Sequence, residues 1–352
     1  MTTNDAMNRS RAPAFRCARL PRWTFAIGLA AAVIGSRPAS ATEHIKVGVL
    51  LTAGSGPIFV AKEKKYFDAE GLDVEFVTFD AGQPVAVATV AGDIDFGTAG
   101  VTSALYTLAA EGQLRIIAGS TMDVPGFPAG GIVVSNQAYA AGLDSLEKLA
   151  GHSTALTQVG STYHYAFAMV AAKNGVDIKT MRTMPLQSLA NDAAAVVGGQ
   201  ADTTMLTSTI ILPLVKSNRM KLLAWAGEQV RWQVALIWTS AKTANERPAM
   251  IKHFLSAVRR GAHEVAKAFV GPDGKKFNGP NADEIAAIVA KYVHLSPEQT
   301  KVAMGYTDPD LRIDEQDVAR QIAWYRSQGM IKGDFGVDRV VDKRYAVPLP
   351  VK

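Results

Sequence analysis

The chain has one cysteine in 352 residues, Cys17, and it lies near the N-terminus, before the apolar segment Trp23–Ile34. Beyond that point there is no sulfur for a disulfide, a thiolate nucleophile or a cysteine-based metal site. The sequence also lacks a His-x-x-x-His pair, a nucleophile elbow and a phosphate-binding loop. Gly54-Ser55-Gly56 is too short for a dinucleotide fingerprint. No low-complexity segment or solenoid period is present, and no apolar run is long enough to span a bilayer. These absences leave no visible catalytic group and imply neither a cofactor nor a metal.

Net charge is absent too, once the N-terminus is set aside. Arg9, Arg11, Arg16, Arg19 and Arg22 precede Trp23–Ile34, and Ala39-Ser40-Ala41 follows as a small-x-small cleavage site. This is the pattern of a secretory signal peptide over 1–41, cleaved after Ala41. No Arg-Arg pair precedes the apolar run, and Cys17 lies on the wrong side of it for a lipid anchor. Taking the six Lys/Arg and one Asp of residues 1–41 from the chain's 37 basic and 32 acidic residues leaves 31 of each sign. The basic character belongs to the export segment and gives no support to nucleic-acid binding.

What the chain does have is a repeat. Lys46–Phe79 reads as a buried strand, a Gly/Ser turn, a helix opened by Pro57 and closed near Gly71, then a strand from Leu72. Ser153–Ile178 repeats that order, with Gly160-Ser161 echoing Gly54-Ser55 and Gly175-Val176-Asp177-Ile178 echoing Gly71-Leu72-Asp73-Val74. Further on, Ala91–Asp95 is matched by Gly198–Asp202, the turn Thr98–Ser103 by Thr207–Thr209, and the strand Leu114–Ala118 by Met220–Ala224. The expectation is two similar α/β units facing each other. Their chain crossings are expected near Ser135–Gln137 and Trp232–Ala235, which gives one lobe from 42–135 and 234–352 and the other from 136–233. The remainder after Trp238 is mostly helical, and its helices are expected to pack on the first unit.

In open parallel sheets, ligands sit at the carboxyl ends of the strands, where helix N-termini offer unpaired N–H groups. The loops there are rich in Gly, Ser and Thr, which suits a small anion. The candidates are Thr52, Ser55 and Gly56; Gln83; Thr98, Gly100 and Thr102; Gly160, Ser161, Thr162 and Tyr163; and Thr207 with Ser208. Two charged candidates join them. Arg231, beside the second crossing, suits a bidentate contact to a carboxylate or sulfonate, or else a surface pair with Glu228. His164 falls in the first turn after Gly160-Ser161, either touching ligand or packed as a capping residue. Tyr163, Phe127 and Trp232 are candidates for pocket walls, with interdomain packing as the alternative for Trp232.

Those residues resemble a known family. KVGVLLTAGSGPIFVAKEKKYFDAEGLDVEF, at Lys46–Phe76, is similar to the opening of periplasmic solute-binding proteins of the nitrate/sulfonate/taurine type of ABC importer. Gly92–Gly97, Asp144–Gly151 with Gly160-Ser161, and Gly199–Asp202 resemble later blocks, so the likeness covers about Lys46–Arg260. It implies a two-lobed periplasmic-binding-protein fold of type II, each lobe a sheet flanked by helices, joined by two hinge crossings. It implies a soluble, monomeric periplasmic receptor that closes on a small organic anion, a sulfonate or a carboxylate, and delivers it to permease subunits. Relatives on this fold also include enzymes, a pyrimidine-forming synthase and a desulfinase, but these rely on cysteines that the chain lacks beyond Cys17. A cofactor-free enzyme and a sensory ligand-binding domain remain as alternatives. One departure is Lys65, where the family usually has glycine.

Overall fold

The structure is a computed structural model that describes residues 42–350, and the expected export segment lies outside them. The first strands are β1 (Glu43–Val49), β2 (Leu72–Thr78), β3 (Phe96–Gly100), β4 (Leu114–Gly119), β5 (Thr121–Asp123) and β6 (Gly130–Ser135). They are followed by β7 (Ser153–Leu156), β8 (Arg182–Pro185), β9 (Thr203–Thr207), β10 (Met220–Trp225), β11 (Trp232–Gln233), β12 (Ala235–Ser240) and β13 (Tyr306–Thr307).

Two five-stranded mixed sheets result, ordered β2-β1-β3-β12-β4 and β8-β7-β9-β6-β10. The orders are equivalent position by position, as the repeat in the sequence requires. In each, three parallel strands are followed by one antiparallel strand borrowed from elsewhere in the chain: β12 between β3 and β4, and β6 between β9 and β10. The chain therefore forms two α/β lobes. Gly71 and Gly175 close matching helices with φ of 74° and 76°, a left-handed conformation that costs glycine little.

The exchange of β6 moves the first crossing. Ile132–Ser135, expected at the end of the first lobe, pairs instead with Met205–Thr203 and with Met220–Ala224 in the second sheet. The segment that passes between the lobes is β5, a dozen residues earlier than the expected Ser135–Gln137. Here β5 joins β11 and β13 in a small three-stranded sheet. The reason is physical: an apolar run such as Ile132-Val133-Val134 is equally satisfied in either sheet, and only its partners decide.

The helix expected from Pro57 to Gly71 is broken. It runs Gly56–Glu63, stops, and resumes at Tyr66–Ala69. The break is at Lys65, which has φ 57°, so the position where the family usually has glycine needs a left-handed backbone. The 22-residue helix Pro248–Phe269 buries Ile251, Phe254, Leu255, Val258, Ala262, Val265 and Phe269 at helical spacing. Phe254 stacks on Phe96 of β3 at 3.9 Å, which fixes this helix against the first sheet.

The helix Glu315–Ser327 does not stay on the first lobe. Its Gln321 accepts a hydrogen bond from Tyr106, while its Asp317 accepts from Tyr165 of the second lobe and from the backbone of Gln233 in β11. It is a strap across both lobes and the β5–β11 connection.

Candidate functional site

The carboxyl ends of the parallel strands of both sheets point towards each other. Five helices begin there: Gly56–Glu63, Gly82–Ala91 and Ser103–Ala110 in the first lobe, and Thr162–Lys173 and Leu189–Val197 in the second. Their N-termini carry the positive end of the helix dipole and N–H groups with no helical partner. Thr102, Ser161 and Ser188 cap three of them, each side chain accepting from the backbone N–H three residues on.

Between these starts lies a cleft with a cavity of about 80 Å³, room for a small solute or several waters. Of the expected residues, Thr52, Ser55, Thr98, Gly100 and Thr102 line it from one lobe, and Ser161, Thr162 and Tyr163 from the other. The lobes touch beside it. Ser103 N donates to the carbonyl of Gly160 at 2.9 Å, and Thr162 Oγ1 donates to that of Val101 at 2.5 Å. Gly100 sits directly against Thr162, and Gly160 against Ser103, so a Cβ at either glycine would meet the opposite lobe. Gly160 makes the contact rather than the cavity wall.

Several expected residues lie elsewhere. Gly56 faces away, against Met304 and Val289. Gln83 is exposed, because it sits a hundred degrees round the helix from Gly82, which does line the cleft. Thr207 bonds to Thr209 within the second lobe, and Ser208 donates to the carbonyl of Ala303, which ties that lobe to the C-terminal segment. His164 is buried, and its Nδ1 accepts from the backbone N–H of Gly160. Burial pushes its pKa down to about 4, so the ring is neutral and serves as a cap.

Arg231 is outside the cleft. Trp232 turns inward from the short strand β11, so its neighbour turns outward, where Arg231 lies 3.6 Å from Asp314. Glu228, the alternative partner, instead accepts from the backbone of Gly126. Among the three aromatic candidates only Tyr163 reaches the cavity. Trp232 packs edge-on behind it, with ring centres 6.2 Å apart, and Phe127 lies in a separate cluster against Tyr306. Burial holds the Tyr163 hydroxyl protonated by pushing its pKa up.

Sequence reasoning missed part of the lining. Leu50, Leu189 and Val234 supply apolar wall, Thr157 a further hydroxyl, and Asp80 a carboxylate. The wall is therefore mixed, hydroxyls and backbone N–H groups set among aliphatic side chains, which suits a solute with a polar end and an apolar body.

The family model described as NMT1/THI5 like matches residues 53–268. The chain belongs to the NMT1/THI5-like family. No curated protein matches it. Among solved structures, it resembles the alkanesulfonate-binding protein SsuA from Xanthomonas axonopodis pv. citri bound to MOPS, with TM-score 0.69 and 19% identity over 88% of this chain and all of that one. It also resembles the periplasmic aliphatic sulphonate binding protein SsuA from Escherichia coli, with TM-score 0.66 and 16% identity over 88% and 94% of the two chains. A third likeness is to the periplasmic nitrate-binding protein NrtA from Synechocystis PCC 6803, with TM-score 0.64 and 16% identity over 85% and 84%. The two-lobed fold of this family member is that of periplasmic binding proteins.

Proposed function

We propose that this protein is the substrate-binding receptor of an ABC importer, capturing a small organic anion, a sulfonate or a carboxylate, between its lobes. It then presents the anion to permease subunits in the periplasm as a monomer freed of residues 1–41. The observation that carries the reading is the meeting of five helix starts from two lobes on one cavity. Hydroxyls of Thr52, Thr98, Thr102 and Ser161 line it, while that of Thr162 is committed to the carbonyl of Val101. The sulfonate- and nitrate-binding proteins of like fold support the same ligand class. A ligand that contacts both lobes favours the closed arrangement by its differential affinity for it. A catalytic role is disfavoured because the cavity presents hydroxyls, a neutral phenol and the Asp80 carboxylate, and among the described residues no hydrogen bond pairs Asp80 with any of those hydroxyls as a base with its nucleophile.

The test is a thermal-shift and calorimetry panel of alkyl sulfonates, carboxylates and nitrate on the chain. A ligand at a hundred times its dissociation constant adds about 2.7 kcal/mol of stability, a shift of several degrees. The reading predicts that one class responds and is recovered unchanged. It predicts that Leu189→Trp, which fills the cavity from the second lobe, abolishes the response. Turnover of the responding compound, or binding indifferent to Leu189→Trp, would overturn it.

A further inference from the structure

The two sheets end alike on one side. β4 and β10 are outermost strands at equivalent positions, and they follow the repeat, Leu114–Ala118 against Met220–Ala224. Each carries a bulge at the same place. β12 pairs with Ile116 and Ala118 and skips Ile117, and β6 pairs with Leu222 and Ala224 and skips Leu223. Arg115 therefore corresponds to Lys221, Ile116 to Leu222 and Gly119 to Trp225.

The two edges differ in what covers them. In the first lobe the C-terminal segment closes the edge of β4. Val341 bridges Ile116 in the parallel sense, Asp342 N donates to the carbonyl of Ile116 at 2.8 Å, and Gly119 N donates to that of Leu311 at 2.8 Å. Ile116, Ile117 and Ala118 are buried beneath. In the second lobe, among the described residues, no hydrogen bond from outside the sheet reaches the backbone of Met220–Trp225. Leu222, Leu223, Ala224 and Trp225 are left half-buried. The opposite edges of the sheets are guarded: β2 exposes Asp73 and Glu75, and β8 exposes Arg182 and Pro185. β10 is apolar beyond Lys221, and an unguarded edge of that kind accepts an added strand.

The covered edge shows the chemistry of an occupant. It is an extended segment that sets an apolar residue, Val341, before a carboxylate, Asp342. Burial opposes the ionisation of Asp342, but hydrogen bonds from Arg344 and the added charge of Arg115 hold its pKa below the ordinary value. On β10 the counterpart of Arg115 is Lys221, which donates to the neutral side chain of Asn218. Lys216 and Arg219, in the turn before the strand, are exposed and join no salt bridge among the described residues. The bare edge thus repeats the covered one, with cations in place and the carboxylate missing.

We propose that the outer edge of β10 is a docking site for an extended segment of a partner protein. The segment adds parallel to β10 as a sixth strand, with an apolar residue against Leu222 and a carboxylate beside Lys221.

The experiment is hydrogen–deuterium exchange on the full chain with the capped peptide Thr-Val-Val-Asp-Thr at millimolar concentration. A second peptide has lysine in place of the aspartate, and both are run on wild type and on Lys221→Glu. The acidic peptide is expected to slow exchange of the outward amides of Met220–Trp225 in wild type by about threefold, as two bound chains to each free one give. The basic peptide is expected to slow it less, and Lys221→Glu to reverse the order. The two peptides on wild type alone decide the point if the variant does not fold. No slowing at β10, or equal slowing by both peptides, overturns the proposal. Slowing at β10 that rises with protein concentration and needs no peptide would make a second copy of the chain the occupant, and overturns the partner segment.

Discussion

The hydroxyl of Tyr325 donates to the carbonyl oxygen of Ser161 at 3.0 Å and lies 3.3 Å from that of Val101. Those carbonyls belong to opposite lobes, each at the start of a helix that lines the cleft. Tyr325 itself comes from the strap helix Glu315–Ser327 and is fully buried. One side chain thus ties the C-terminal helix to both halves of the site, on the side away from the cavity.

Tyr325→Phe keeps the ring and removes the tie. It should cost about 1 kcal/mol of stability, the net worth of one hydrogen bond, because the Ser161 carbonyl keeps the backbone N–H of Tyr165 as a donor and the Val101 carbonyl keeps Thr162. Because the bond joins the lobes in the closed arrangement, ligand should also leave faster. Urea unfolding measures the first effect and stopped-flow dissociation the second. A stability loss with an unchanged dissociation rate would mean that the tie persists in the open form.

Gly100 packs against Thr162 across the lobe contact, with no space for a methyl group. Gly100→Ala should therefore hold the lobes apart and weaken binding by about tenfold or more, while the separate lobes stay folded. Adding Thr162→Ala should recover part of the affinity by making room on the far side. Small-angle scattering with and without ligand checks the cause, because the single variant should fail to contract. Full contraction would place the lobe contact elsewhere in solution.

How much of this was legible in the sequence depended on whether the determinant was local. The repeat was legible because glycine stops, Pro57 and Ser/Thr caps act within one turn of the chain. Gly71 and Gly175 do what their residue type predicts. The loops around the cleft were legible for the same reason. Which residues of a loop face the cavity was not, because that depends on helix phase: Gly82 faces in and Gln83 faces out. Long-range partners were illegible as well. Nothing near Arg231 announces Asp314, and nothing in Ile132-Val133-Val134 says that it pairs with β9 rather than with the first sheet. Asp80 was passed over because one carboxylate after a strand is ordinary, and nothing local places it on the cavity wall.

Lys65 gives a test of local strain. A non-glycine residue at φ 57° costs roughly 1–2 kcal/mol, against roughly 0.5–1 kcal/mol for the extra backbone entropy glycine loses on folding. Its side chain is exposed, so little packing is at stake. Lys65→Gly should stabilise the protein by about 0.5–1 kcal/mol, seen as a higher urea midpoint with the same slope. A lower midpoint would show that the lysine side chain contributes more than its backbone costs.

Asp192 should make stability depend on pH. It lies near the start of the helix Leu189–Val197, is 1% exposed, and neither carboxyl oxygen has a hydrogen-bond partner among the described residues. Burial pushes its pKa up from 3.8 to about 7. The folded protein therefore holds this proton over a range where the unfolded chain has released it. The resulting stability is complete below pH about 4 and is lost as pH rises through about 7, where the fold carries a buried, unpaired charge. Asp192→Asn keeps the shape without the ionisation. The stability gained by the variant should be near its minimum at pH 4 and grow to as much as ~4 kcal/mol by pH 8. Asp123, which also rises to about 7, is present in both proteins and cancels in the difference. Urea unfolding of the pair at pH 4.5, 6 and 8 measures it, and a difference that stays flat across that range would show that the carboxylate finds water or a partner in solution.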